Sequence, residues 1–225
     1  MKGFTLNKIT SPHPYQEQWN IPTEISEEQL NQILSQPYNY FSSGKECYVF
    51  SSEDGNYIVK FFKQKHMDTT GFFSKPNRKE LRKKTYTSYQ IAYEKFREES
   101  QLLYLHLTKT KHLKKTLHLT DNRGKPFSLK LDNMEFLIQR RGETLLSYLQ
   151  KHPKEKEQIK EKLITFVKNR AAKGICDHDN NCEKNLGVID GEIFEIDIGE
   201  FSLAQEKESC TTIENLLKEI EDVQL

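Results

Sequence analysis

With 225 residues, 35% of them hydrophobic and 30% charged, the chain can build a full core as one domain or two lobes, and its thirteen Phe and ten Tyr exclude a disordered chain, whose composition lacks aromatics. No apolar run approaches the ~18 residues of a transmembrane helix, and residues 1–20 carry no apolar stretch followed by a cleavage site, so neither a membrane span nor export is expected. The net charge of +1 conceals a basic stretch over 61–84 and an acidic one from Asp190 onward; the basic stretch is read as a solvated helix face or a rim beside a polyanionic ligand, and nucleic acid is not the expected partner.

Ser26 and Gln29 form a capping box ahead of Leu30, Ile33 and Leu34 at helical spacing, which predicts a helix over 27–35 that Pro37 stops. Aromatic and β-branched runs then flank Asp54-Gly55, predicting a hairpin within 38–63 with a further bend at 42–45. Small residues at Ser42, Ser43, Gly44 and Cys47 leave that bend open to close approach by a ligand. Lys60 interrupts the apolar strand I-V-K-F-F. A lysine there must find a charged partner or a route to water; an edge strand with the side chain outward is the alternative. Residues 64–76 read as an irregular connection. Helical spacing follows over 77–107 and puts Glu98 and Glu99 on that helix, each either solvated or the partner that Lys60 requires.

Residues 116–120 and 127–131 alternate as strands around a turn at 121–124, and 134–139 form a continuous apolar strand. Arg140, Arg141 and Gly142 break it, and Leu145, Leu146 and Leu149 mark a short helix. Pro153 opens another helix that runs to Lys173 and ends at Gly174. Asp190-Gly191 supplies the positive-φ turn of a hairpin between 186–189 and 192–196. The two ends of that hairpin carry Asp179, Asn185 and Asp197, oxygen ligands of the kind that suits Mg2+; the alternative is an acidic surface hairpin with solvated side chains. Residues 212–223 read as a final amphipathic helix. Cys176, His178 and Cys182 cluster, but C-x-H-x3-C is not a finger spacing and no second ligand pair accompanies it. The four cysteines lack framework spacing, which points to a reducing cytoplasm.

The stretch A-A-K-G-I-C-D-H-D-N-N-C-E-K-N-L-G-V-I-D-G-E-I-F-E-I-D-I-G resembles the protein kinase catalytic loop followed by the strand pair that leads into the magnesium-binding D-x-G. The resemblance covers about 38–201 and is nearest to minimal bacterial kinase-like proteins. It implies a protein kinase-like α+β fold: an N-terminal helical extension over 1–37, a small N-lobe antiparallel sheet with a long helix over 38–139, and a reduced helical C-lobe over 140–225. By the same resemblance Asp197 and Asn185 are metal ligands, and Asp179 stands where the catalytic aspartate orients the acceptor, with Asp177 left open. Residues 42–49 resemble the glycine-rich phosphate loop, Gly44 at its middle glycine and Val49 at its closing valine. Lys60 matches the nucleotide-positioning lysine and Glu99 its helix glutamate, Glu98 remaining open. Residues 134–142 resemble the gatekeeper strand and adenine hinge, which puts Ile138, Gln139 and Arg140 beside the nucleotide.

The implied activity is transfer of the γ-phosphate of ATP, with Mg2+, to a hydroxyl on a small molecule, a lipid-linked compound or a protein. Four departures bear on it. Ser42 and Cys47 stand where the family often has glycines. Asn185 follows Asp179 one position later than usual, and Asp177-His178 replace the histidine and arginine of H-R-D. Fewer than thirty residues follow Asp197, leaving no room for an activation segment. These imply the alternative of a pseudokinase, a scaffold that binds nucleotide or another protein.

Overall fold

In the computed structural model the described residues are 4–67, 78–179 and 181–203. They divide into two units, 1–86 with 103–141 and 87–102 with 142–225.

In the first unit, α1 (Glu27–Leu34) starts at the expected capping box: the Ser26 side chain accepts the Gln29 N–H, and the Gln29 side chain accepts the Ser26 N–H. Its buried face of Leu30, Ile33 and Leu34 joins Phe4 and Ile9 in one core with the sheet, so the first 37 residues help to build that core. The sheet holds β1 (Tyr38–Ser43), β2 (Cys47–Ser52), β3 (Tyr57–Phe62), β4 (Leu102–His106), β5 (Thr116–Thr120), β6 (Pro126–Lys130) and β7 (Phe136–Arg140). Their order is β4-β7-β3-β2-β1-β5-β6. β1 and β5 pair in parallel, whereas β1–β2, β2–β3, β3–β7 and β5–β6 are antiparallel. Alternation along β3 sends Val59 and Phe61 into the core with Phe50, Phe136 and Ile138. Ile58, Lys60 and Phe62 take the other face.

The long helix ends earlier than its spacing predicts. After the short α2 (Gln64–Met67), α3 spans Arg78–Lys95. The chain then turns, with Gln101 at φ 53°, and Leu102–His106 is strand β4 beside β7. L-L-Y-L-H is a short apolar run whose periodicity does not separate helix from strand; sheet pairing decides it. Residue 77, most of the connection over 64–76 and the helix expected over 212–223 lie outside the described residues.

The second unit takes the rest of α3 from Thr87, β8 (Glu143–Thr144), α4 (Leu145–Lys151), α5 (Lys156–Ala172), β9 (Ile175–Asp177), α6 (Cys182–Asn185), β10 (Leu186–Ile189), β11 (Glu192–Glu195) and β12 (Phe201–Leu203). Strands β11, β10 and β8 form one sheet, and β12 pairs with β9. The β10–β11 turn is the expected one, since Asp190 at φ 53° and Gly191 at φ 78° supply two successive positive-φ residues. Gly187 is required by crowding: a Cβ there would strike the Phe194 ring and come within 2.7 Å of the Glu143 carbonyl oxygen. The architecture is thus mixed α+β, and among the described residues no helix is long and apolar enough to cross a membrane.

Candidate functional site

The acidic loops of the second unit are organised by an arginine. The C-terminal half of α5 buries Phe166, Val167 and, in its last turn, Arg170. After Gly174 the chain turns into β9, which brings Asp177 beside that arginine. Arg170 Nη1 donates to Asp177 Oδ2 and to Glu195 Oε2, both at 2.8 Å, with all three side chains buried. One guanidinium therefore joins α5, β9 and β11. Two carboxylates removed from water against one cation are hard to ionise together. Burial pushes Glu195 well above the usual carboxylate range; Arg170 opposes this, and the charges of Asp177 and Asp197 add to it. Asp177 is also raised, by burial first, with Arg170 pulling the other way and Asp179 and Asp197 pushing it up.

From this anchor the loop is laid out by short-range hydrogen bonds. Asp177 Oδ1 accepts the Asp179 N–H at 3.0 Å, and Asp179 Oδ1 accepts the Asn181 N–H at 3.3 Å. Asn181 then caps α6 by accepting the Lys184 N–H at 3.1 Å. The end of α6 is Asn185, whose carbonyl oxygen accepts the N–H of Ile196 at 2.6 Å and of Asp197 at 3.4 Å. Asn185 is 5% exposed, and among the described residues its Nδ2 has no hydrogen-bond partner. Asp197 is exposed, and its Oδ1 accepts the Gly199 N–H at 3.2 Å. Asp179, Asn185 and Asp197 are thus gathered into one cluster of loops. Mg2+ takes oxygen ligands and usually keeps few protein carboxylates; the Asp197 carboxylate and the Asn185 amide, on hydrogen-bonded backbones, fit such a site.

Glu99 is placed otherwise than its sequence spacing suggests. It lies beyond the end of α3, its Oε1 is ion-paired with Lys173 Nζ, and its carbonyl oxygen accepts the Glu195 N–H at 2.8 Å. The expectation of a helix-borne glutamate at Glu98 or Glu99 is corrected, because the helix stops at Lys95. Of the neighbouring Cys/His cluster, His178 Nε2 meets Ser202 Oγ at 2.8 Å, and Cys176 and Cys182 are buried. No group of three or more His, Cys, Asp or Glu among the described residues is arranged to hold a metal ion.

In the first unit, β3 is an interior strand, so the edge-strand alternative for Lys60 does not hold. Lys60 is 9% exposed and sits opposite Val49 on β2 and Leu137 on β7. Val49 and Lys60 therefore share a sheet face, and so does Gln139, which is buried opposite Ile58. Ile138 pairs with Val59 and turns into the core, leaving only its backbone for a ligand, while Arg140 is exposed opposite Tyr57. Gly44 occupies the β1–β2 turn, where a Cβ would meet nothing within 4 Å among the described residues. Lys63, which the sequence pattern did not single out, ties this turn down. Its Nζ donates to the Gly44 carbonyl, its N–H donates to the Glu46 carbonyl at 2.7 Å, and its ammonium lies 4.7 Å from the Tyr48 ring centroid. Arg170 was also missed; its signal is a cation on the apolar face of α5.

No family model and no curated protein matches the chain. Among solved structures it is similar to a high-resolution crystal structure of WbdD, with 14% identity and a TM-score of 0.43 over 76% of this chain and 34% of that one. A second similarity is to the bifunctional kinase-methyltransferase WbdD at medium resolution, with 13% identity and a TM-score of 0.40 over 92% of this chain and 38% of that one. A WbdD co-crystal with the kinase inhibitor LY294002 gives 14% identity and a TM-score of 0.39 over 73% of this chain. The chain spans about a third of the length of these structures.

Proposed function

We propose that this chain is a kinase-like phosphotransferase that takes the γ-phosphate of ATP to a hydroxyl acceptor, using Mg2+. The observation that carries the reading is the backbone junction of Asn185 with Ile196 and Asp197. It joins the backbones of the two residues that resemble the family's metal ligands, in the loop cluster that also carries the exposed Asp179.

Phosphoryl transfer needs positioning and charge neutralisation more than covalent help from the protein. Asp197 and Asn185 would hold the metal, which supplies neutralisation of phosphate charge when bound. Asp179 is the better acceptor-orienting carboxylate of its pair, because Asp177 spends both oxygens on Arg170 and the Asp179 N–H. In the first unit, Lys60 would steady the α- and β-phosphates. Val49 and Gln139, on the same sheet face, would flank the base, and the open turn at Gly44 would let backbone N–H groups approach phosphate oxygens.

The test is thermal unfolding in ATP with and without Mg2+, since a ligand that binds only the folded state raises Tm, together with release of ADP. Metal-dependent stabilisation that disappears in Asp197→Ala, accompanied by turnover, supports the reading. Nucleotide binding without turnover on any acceptor hydroxyl would favour the scaffold alternative, and no response at millimolar nucleotide would reject both nucleotide readings.

A further inference from the structure

We propose that Ser88, on α3, is the positioning residue that fixes the turn carrying Asp197, and thereby sets how tightly the site takes its metal. This rests on the phosphotransferase reading above. A serine in mid-helix ordinarily turns to solvent or back to the carbonyl one turn earlier. Ser88 is fully buried, at 0% exposure, and its hydroxyl reaches across to a distant segment. Its Oγ donates to the Ile198 carbonyl oxygen at 2.5 Å and accepts the Phe201 N–H at 2.6 Å. One hydroxyl thus closes both sides of the Asp197–Phe201 turn, using its single donor and one of its acceptor sites.

The rest of the surroundings are arranged for that contact. Ala92, also at 0% exposure, continues the same helix face at one-turn spacing, and Phe96, equally buried, follows directly after the helix end. The small side chains at Ser88 and Ala92 let the helix come close to backbone, and Phe96 meets the Phe201 ring edge-on at 5.8 Å between centroids. Phe201 is also paired with Asp177 across the β12–β9 ladder, and the Arg170 guanidinium lies 5.8 Å from its ring. The turn bearing Asp197 is therefore gripped by a side-chain hydroxyl on one side and by the Arg170–Asp177 anchor on the other. Inside the turn, Asp197 Oδ1 takes the Gly199 N–H, so the carboxylate's direction follows the backbone that Ser88 holds. Without the hydroxyl, a buried carbonyl and a buried N–H lose their partner, and the turn can relax away from its native geometry.

The experiment compares the wild-type chain with Ser88→Ala and Ser88→Thr, using amide hydrogen exchange of the unliganded protein and the Mg2+ concentration that half-saturates the ATP-induced Tm shift. The expected result in Ser88→Ala is faster exchange at Gly199 and Phe201 and a roughly tenfold higher Mg2+ requirement. ATP affinity without metal should stay unchanged, and Ser88→Thr should recover part of both losses. A lower Tm in Ser88→Ala with an unaltered Mg2+ requirement would make Ser88 merely structural and overturn the proposal. Unchanged exchange at Gly199 and Phe201 would overturn the clasp itself. If wild type shows no Mg2+-dependent response to ATP, the phosphotransferase reading fails and the positioning role with it, while the exchange data still report whether the clasp exists.

Discussion

Asp177 and Asp179 are joined by one hydrogen bond, from the Asp179 N–H to Asp177 Oδ1 at 3.0 Å, yet they stand in opposite surroundings. Asp177 is 5% exposed and bound to Arg170, whereas Asp179 is exposed. The pair divides its labour: the first builds the loop and the second is available to a ligand.

Substitution should separate the two roles. Asp179→Asn is expected to abolish phosphoryl transfer while changing unfolding free energy by less than about 0.5 kcal/mol, as for most exposed sites. Asp177→Ala removes the acceptor of both the Arg170 bond and the Asp179 N–H, and should cost about 1–3 kcal/mol. Urea unfolding and ADP release on the two variants check this; a stable Asp177→Ala with full activity contradicts the division.

Two glycines make a second contrast. A Cβ at Gly44 meets nothing within 4 Å among the described residues, and Gly44 is not among the glycines with positive φ, so Gly44→Ala should leave stability nearly unchanged and lose only what close ligand approach requires. A Cβ at Gly187 strikes the Phe194 ring and approaches the Glu143 carbonyl oxygen. Gly187→Ala should therefore cost about 1–3 kcal/mol, the usual penalty of overpacking. Thermal unfolding of both variants, with and without ATP, gives the comparison.

Local signals accounted for much of the architecture. The Ser26 capping box, the Asp54-Gly55 and Asp190-Gly191 turns and the stop at Gly174 are decided by a few adjacent residues, and each appears where its chemistry puts it. The helix that stops at Lys95 was misjudged because L-L-Y-L-H satisfies a helical stripe and a buried strand alike; pairing with β7 is a long-range fact. The same reason hid Arg170, Glu195 and Ser88. Each acts through partners remote in sequence, and a single cation or hydroxyl on an apolar helix face carries no mark of what it will meet. Ile138 was legible as a strand residue, but the side of the sheet it faces depends on register with Val59.

His106 should make the first unit acid-sensitive. It is 6% exposed, with Nδ1 2.7 Å from the Met134 carbonyl oxygen and Nε2 3.1 Å from Thr110 Oγ. Burial lowers it from 6.5 to about 4. A histidine whose folded pKa is depressed takes up its proton more readily when unfolded, so its contribution is complete above pH 6.5 and disappears as pH falls toward 4. The expected loss is roughly 3 kcal/mol across that window. Urea midpoints for wild type and His106→Gln test it, and the variant should lose most of this slope.

The Arg170 anchor predicts a pH dependence of the opposite sign. Arg170→Met leaves Asp177 and Glu195 buried near one another without the guanidinium that offsets them, and both are already raised with it present. Carboxylates whose folded pKa is raised hold protons that the unfolded chain releases, so stability falls as pH climbs from about 4, the usual carboxylate value, toward the raised folded values. Losing the cation lifts those values further and steepens the fall. The cost should be about 3–5 kcal/mol at pH 8, the usual range for breaking a buried ion pair, and distinctly smaller at pH 5, where protonation neutralises the cluster. Adding Glu195→Gln to Arg170→Met should recover part of the pH 8 loss, because one of the two unneutralised carboxylates is then gone. Urea midpoints for the three proteins at both pH values decide the matter. Equal penalties at pH 5 and pH 8, with no rescue by the second substitution, would mean that Arg170 acts through packing alone and not by neutralising the carboxylates beneath the loop.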